Sequence, residues 1–110
     1  MDVLTALYRR EKITLPVSEV THFKAEDKYV TAYHANGELI LSDTLETLEQ
    51  ALAADFLRIS RSFLIRRQLL TGIAKDSRGH YAVTNLTQQR LSIPRRRVSA
   101  VRSHLQQQSA

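Results

Sequence analysis

Arginine carries most of the chemistry in this 110-residue chain. It recurs in two groups, Arg58-Ile-Ser-Arg61-Ser-Phe-Leu-Ile-Arg66-Arg67 and Pro94-Arg95-Arg96-Arg97, with a β-patterned stretch between them. A guanidinium neutralises phosphate, and its planar fork can read a guanine edge through two parallel hydrogen bonds. The net charge follows the same division. Residues 56–110 hold eleven Lys/Arg against the single acid Asp76 (+10), residues 1–55 hold five against ten (−5), and the sum is the chain's +5. Such a basic half suits an anionic partner: DNA, RNA or anionic lipid. The alternative is a solvated basic face without a partner. Arg95–Arg97 weigh against it. Pro94 suits a first helical position, so the three arginines fall in the first turn of a helix, where the positive end of the helix dipole disfavours cations. A phosphate there would compensate them and accept from the free backbone N–H groups of that turn.

Catalysis has little support. None of His22, His34, His80 and His104 pairs at metal-ligand spacing, and they read as surface or edge-strand residues. There is no Cys, so disulfides and Cys-based metal sites are excluded. Three widely separated Gly make no phosphate loop, and Ser60 and Ser62 lack a base. The expectation is a non-enzyme with no cofactor. No apolar run approaches the ~18 residues of a membrane span, and the N-terminus does not read as a secretory signal.

The elements that must position these residues follow from periodicity. Strands are expected at 12–15, 21–25, 29–34 and 38–42, with Asn36-Gly37 as the hairpin turn joining the last two. Asp43-Thr-Leu-Glu46 reads as a helix cap, and Leu45, Leu48 and Leu52 give a helical stripe over 44–53, with Glu46 and Glu49 facing away from it. Residues 56–65 alternate around a polar turn at Ser60–Ser62. Further strands are expected at 69–75, 80–84 and 90–93, with a turn at Asp76–Gly79 and a loop at 85–89. Val98, Val101 and Leu105 define a C-terminal helix over 94–106. The class is therefore mainly β with two short helices. Residues 1–11 read as a linker or N-terminal extension, 12–106 as the domain and 107–110 as a tail. Arg66 and Arg67 are adjacent, so on a strand only one can reach a given surface.

Several blocks then carry a resemblance: Val20-Thr-His-Phe-Lys-Ala-Glu-Asp-Lys-Tyr-Val30, Asn36-Gly37, Ser42-Asp-Thr-Leu-Glu-Thr-Leu-Glu49, Phe56-Leu-Arg-Ile-Ser-Arg-Ser-Phe-Leu-Ile65 and Pro94-Arg-Arg-Arg-Val98. In this order and spacing they resemble the LytTR-type DNA-binding domain of bacterial response regulators, and the Ala25–Val30 block is most similar to its alginate-regulator branch. The resemblance implies an elongated arrangement of small β-sheets in series. It also implies a cytoplasmic transcription regulator that reads duplex DNA with loops in successive major grooves, in pairs on repeated half-sites. Family members usually carry a receiver domain, which this chain is too short to include.

The matching contact positions are Lys28 or Tyr29, Arg61, and Arg96 with Arg95; Arg58, Arg66, Arg67 and Arg97 are expected as supporting phosphate contacts. Three positions depart from the family pattern: Ser60 for His, Arg66 for Asn and Pro94 for Ser. The competing reading is a basic β-domain that binds RNA or anionic surfaces, which would need exposed aromatic side chains for base stacking.

Overall fold

The computed structural model describes residues 1–86 and 89–108. Ten strands and two α-helices follow one another as β1 (Val3–Tyr8), β2 (Glu11–Pro16), β3 (Val20–Glu26), β4 (Tyr29–His34), β5 (Gly37–Leu41), α1 (Leu45–Ala51), β6 (Phe56–Ser60), β7 (Phe63–Arg66), β8 (Leu70–Asp76), β9 (Gly79–Thr84), β10 (Leu91–Ser92) and α2 (Arg95–Gln108). Single 3₁₀ turns at Val17–Glu19 and Arg67–Leu69 join β2 to β3 and β7 to β8. The strands form three antiparallel sheets: the hairpin β1-β2, a five-stranded sheet ordered β5-β4-β3-β7-β6, and a small sheet ordered β10-β9-β8. The molecule is elongated, 47 × 30 × 23 Å.

The β7–β6 end of the five-stranded sheet is buried on both faces, which explains the uninterrupted apolar run Phe63-Leu64-Ile65 in β7. Leu64 joins a first core with Phe23, Phe56, Leu41 and the α1 stripe Leu45, Leu48 and Leu52. Phe63 and Ile65 join a second core with Ile59, Leu70, Ala82 and the α2 residues Val98 and Val101. The two helices thus take opposite faces of one sheet, and β6 is an edge strand between them.

Residues 3–8, expected in a linker or N-terminal extension, form β1. β1 pairs with β2 along its whole length, and Leu4 is buried in the first core. Residues 107 and 108, expected in a tail, belong to α2. The α1 cap is Thr44, not Asp43: Thr44 has extended backbone, and its hydroxyl accepts from the Thr47 amide at 3.1 Å. The β4–β5 turn residues are Ala35 and Asn36, one position earlier than expected. Gly37 follows with a φ of +143°, open to glycine and strained for other residues. Thr87 and Gln88, in the expected 85–89 loop, lie outside the described residues.

Two histidines depart from the surface reading. His104 is buried: Nε2 lies 2.9 Å from the Arg67 carbonyl and Nδ1 3.5 Å from Arg67 Nη1. His22 sits on the central strand β3, stacked between Tyr33 (4.5 Å between centroids) and Phe63 (5.0 Å). Burial, helped by the nearby Lys24 charge, lowers its pKa from 6.5 to about 4. The folded state therefore resists a proton that the unfolded chain accepts. Stability from this ring is complete above pH 6.5 and falls as pH drops towards about 4. Urea midpoints of the wild type should decline across that window more steeply than those of His22→Phe, which keeps the stack and cannot titrate.

Candidate nucleic-acid interface

Strand pairing brings the expected loops together. β3 and β7 are antiparallel neighbours with Lys24 opposite Phe63, so the β3–β4 turn at Asp27–Lys28 and the β6–β7 turn at Arg61–Ser62 lie at the same end of the large sheet. The Ala25 amide donates to the Ser62 carbonyl at 2.9 Å and ties the two turns. Beside the second turn lies a cleft of ≈ 610 Å³ lined by Arg61, Lys75, Arg78, His80, Arg95 and Arg96. The first turn of α2 and the β8–β9 turn therefore meet the Arg61 turn. A neighbouring cleft of ≈ 580 Å³ shares Lys75, His80 and Arg95 and continues along α2 past Ser99 to Arg102. Lys28 and Tyr29 border a separate depression with Glu26, Asp27, Thr31 and Ile40.

Hydrogen bonding sorts the cations into two sets. The first is held by the chain itself. Arg66 donates to the carbonyls of Val20 (2.8 Å) and Val17 (2.6 Å) and lies over the Phe56 ring at 4.6 Å. Arg67 donates to the Ala53 carbonyl at 3.1 Å. Arg58 donates to the carbonyls of Ser60 (3.0 Å) and Arg61 (2.7 Å) and to Glu49 Oε1 (3.1 Å). Arg97 lies 3.7 Å from Glu49 Oε2 and reaches the Arg58 carbonyl at 3.5 Å. These four are the arginines expected as supporting phosphate contacts, and the structure gives each an internal partner. The Arg66 departure has a structural role: its guanidinium closes the carbonyls around the first 3₁₀ turn, so its charge does not add to the exposed set.

The second set is exposed. Among the described residues, the side chains of Lys28, Arg61, Lys75, Arg95, Arg96 and Arg102 have no internal ion pair or hydrogen bond. All but Lys28 line the two joined clefts; Arg10 and Lys12, on the hairpin β1-β2, are equally exposed and unpaired and lie outside them. The acid in the basic half does not oppose them. Asp76 accepts from Arg90 Nη2 at 2.8 Å and Nε at 3.1 Å, and these bonds hold its carboxyl below the usual range against the opposing effect of burial. Arg90 also donates to the Gly79 carbonyl at 3.1 Å and to Ser92 Oγ at 2.6 Å, which staples the β8–β9 turn to β10. Exposed Arg78 rides on that turn, with only a 3.5 Å contact to Asp76. The clefts thus hold exposed guanidiniums, an ammonium and a half-buried imidazole around the start of a helix, a surface chemically suited to phosphate oxygens and base edges.

Lys75, Arg78, His80 and Arg102 were not singled out in the sequence. Asp76-Ser-Arg-Gly79 was legible as a turn, but its proximity to Arg95 depends on the β8-β9-β10 pairing. Arg61, Arg95 and Arg96 do share one cleft, and Lys28 with Tyr29 sits apart from it.

A family model of the LytTr DNA-binding domain matches residues 10–106. The chain belongs to the LytTR family of DNA-binding domains. This LytTR domain is 33% identical over 106 residues to the positive alginate biosynthesis regulatory protein of Pseudomonas aeruginosa, a match covering 94% of the chain and 43% of that protein's length. Its fold matches a solved LytTr DNA-binding domain from Bacillus cereus at a TM-score of 0.76 and 21% identity, over 96% of this chain and 97% of that one. The LytTR fold thus accounts for the small sheets in series. Among the described residues no helix is long and apolar enough to cross a membrane.

Proposed function

We propose that this LytTR domain binds double-stranded DNA sequence-specifically, as the output domain of a cytoplasmic two-component transcription regulator whose receiver lies elsewhere in the regulator. Arg61, Arg95 and Arg96 are the principal contacts to bases or phosphates. Lys28 and Tyr29 form a second contact point, and Lys75, Arg78 and Arg102 extend the phosphate-binding surface. The carrying observation is a cluster of exposed, unpaired cations, Arg61, Lys75, Arg95, Arg96 and Arg102, where the turns of two sheets meet the first turn of α2. Loops in successive major grooves, about 34–36 Å apart on B-DNA, follow from the family reading. Pairs on repeated half-sites follow from the same family reading.

The RNA reading has less support. Phe23, Phe56 and Phe63 are buried, Tyr33 and Tyr81 are half-buried, and only Tyr8 and Tyr29 expose most of a ring among the candidate aromatics. A stacking platform needs several such rings. Selection of bound duplexes from a random pool, followed by competition with single-stranded RNA, tests the proposal. The selected duplex should win by about 10³-fold or more at physiological salt. Equal competition by RNA of arbitrary sequence would favour the general polyanion reading.

A further inference from the structure

We propose that Glu49 is a positioning residue: its one carboxylate locks the β6–β7 turn and the first turn of α2 into a single arrangement and so sets the domain's preference for its own site over other DNA. The inference rests on the DNA reading above.

Glu49 lies on α1, on one face of the five-stranded sheet, and α2 lies on the other. The two sides meet around edge strand β6. Oε1 holds Arg58 at 3.1 Å and Oε2 faces Arg97 at 3.7 Å. Arg58 carries the connection onwards. Its Nε and Nη2 grip the Ser60 and Arg61 carbonyls, the backbone that displays the Arg61 side chain. Arg97 follows Arg95 and Arg96 in the helix and also donates to the Arg58 carbonyl. One carboxylate is therefore linked to both arginine-bearing segments. The side chains of Glu49, Arg58 and Arg97 are 34%, 15% and 26% exposed, so the contacts are less screened than an ordinary surface pair. Arg97 Nε is, among the described residues, the one buried side-chain nitrogen without a hydrogen-bond partner. An arginine kept there despite that unmet donor fits a bridging role better than a local stabilising one.

The proposal separates cleanly from plain electrostatics because the two predict opposite signs. Removing an acid near a DNA-binding surface should raise affinity for every duplex. Removing a positioning acid loosens the two segments and weakens the selected site, which alone needs them in register. The experiment compares wild type, Glu49→Gln and Glu49→Ala on the selected duplex and on a scrambled one, with amide exchange at Arg61–Ser62 and Arg96–Arg97 as the readout of order. Gln is isosteric and keeps an acceptor, so it preserves the fold if Ala does not. Expected are a loss of about 5- to 20-fold on the selected duplex, unchanged or higher affinity on the scrambled one, and faster exchange in both segments. The loss should vanish when Arg61 and Arg96 are already replaced. Parallel changes on both duplexes, or a loss that persists without Arg61 and Arg96, would overturn the role of Glu49. Failure of the DNA reading would show separately, as no duplex enriched from the random pool or as equal competition by RNA, and failure of the proposed surface as intact binding in a variant lacking Arg61, Arg95 and Arg96.

Discussion

Replacing Arg61, Arg95 and Arg96 together with glutamine should nearly abolish recognition of the selected duplex while leaving the protein at least as stable. A bidentate contact to a base contributes about 1–3 kcal/mol, so three such residues correspond to ~3–9 kcal/mol, or about 10²- to 10⁶-fold in affinity. For each of the three that holds a phosphate instead, the slope of log affinity against log salt should fall by about 0.9. Stability should move the other way. None of the three side chains has an internal partner to lose among the described residues. Two of them place positive charge in the first turn of α2, where each is unfavourable by about 0.3–1 kcal/mol. Titrations at several salt concentrations and thermal unfolding read both effects. Wild-type affinity in the triple variant would remove this surface from consideration.

Arg66→Ala should do the reverse. The substitution removes charged hydrogen bonds to two carbonyls, at 2.8 and 2.6 Å, and a guanidinium lying over the Phe56 ring. A hydrogen bond to a charged group contributes about 1.5–3 kcal/mol and the ring contact roughly 0.5–1, so a loss of about 3 kcal/mol is expected. That is a large part of the ~5–15 kcal/mol that holds a domain together. Affinity per folded molecule and the salt slope should stay at wild-type values, because Arg66 is already engaged. Urea unfolding and titration of the same preparation separate the two. A reduced salt slope at unchanged stability would return Arg66 to the DNA surface.

The contrast between these two variants also marks what the sequence could reveal. Strands β3 to β9 and both helices follow from alternation, turn residues and the leucine and valine stripes, because their causes are local. Arg95 and Arg96 of the exposed cleft stood out too, since cations at a helix start are anomalous without an anion, whereas Arg78 and Arg102 did not. The engaged arginines were not. Arg66 finds its acceptors 46 and 49 residues away, and a backbone carbonyl leaves no mark on residue identity. Strand β1 was hidden for a related reason. Its turn uses Arg9 and Arg10 at φ of 50° and 66°, a left-handed conformation that hairpins usually announce with Asn or Gly. Glu49 looked like a solvent-facing acid on the helical wheel, and only the approach of α2 around the edge of β6 gives it partners.

The central claim is that the DNA surface is the edge where the β6–β7 and β8–β9 turns meet the first turn of α2, with the β3–β4 turn as a second contact point at the same end of the large sheet. Backbone amide shifts recorded while the selected duplex is titrated into the labelled domain test it most directly. The account predicts the largest perturbations at Lys28–Tyr29, Arg61–Ser62, Arg78–Gly79 and Arg95–Arg96, with Arg66, Arg67 and the hairpin β1-β2 little changed. Perturbations centred on β1, β2 and β5, with that edge unaffected, would contradict it.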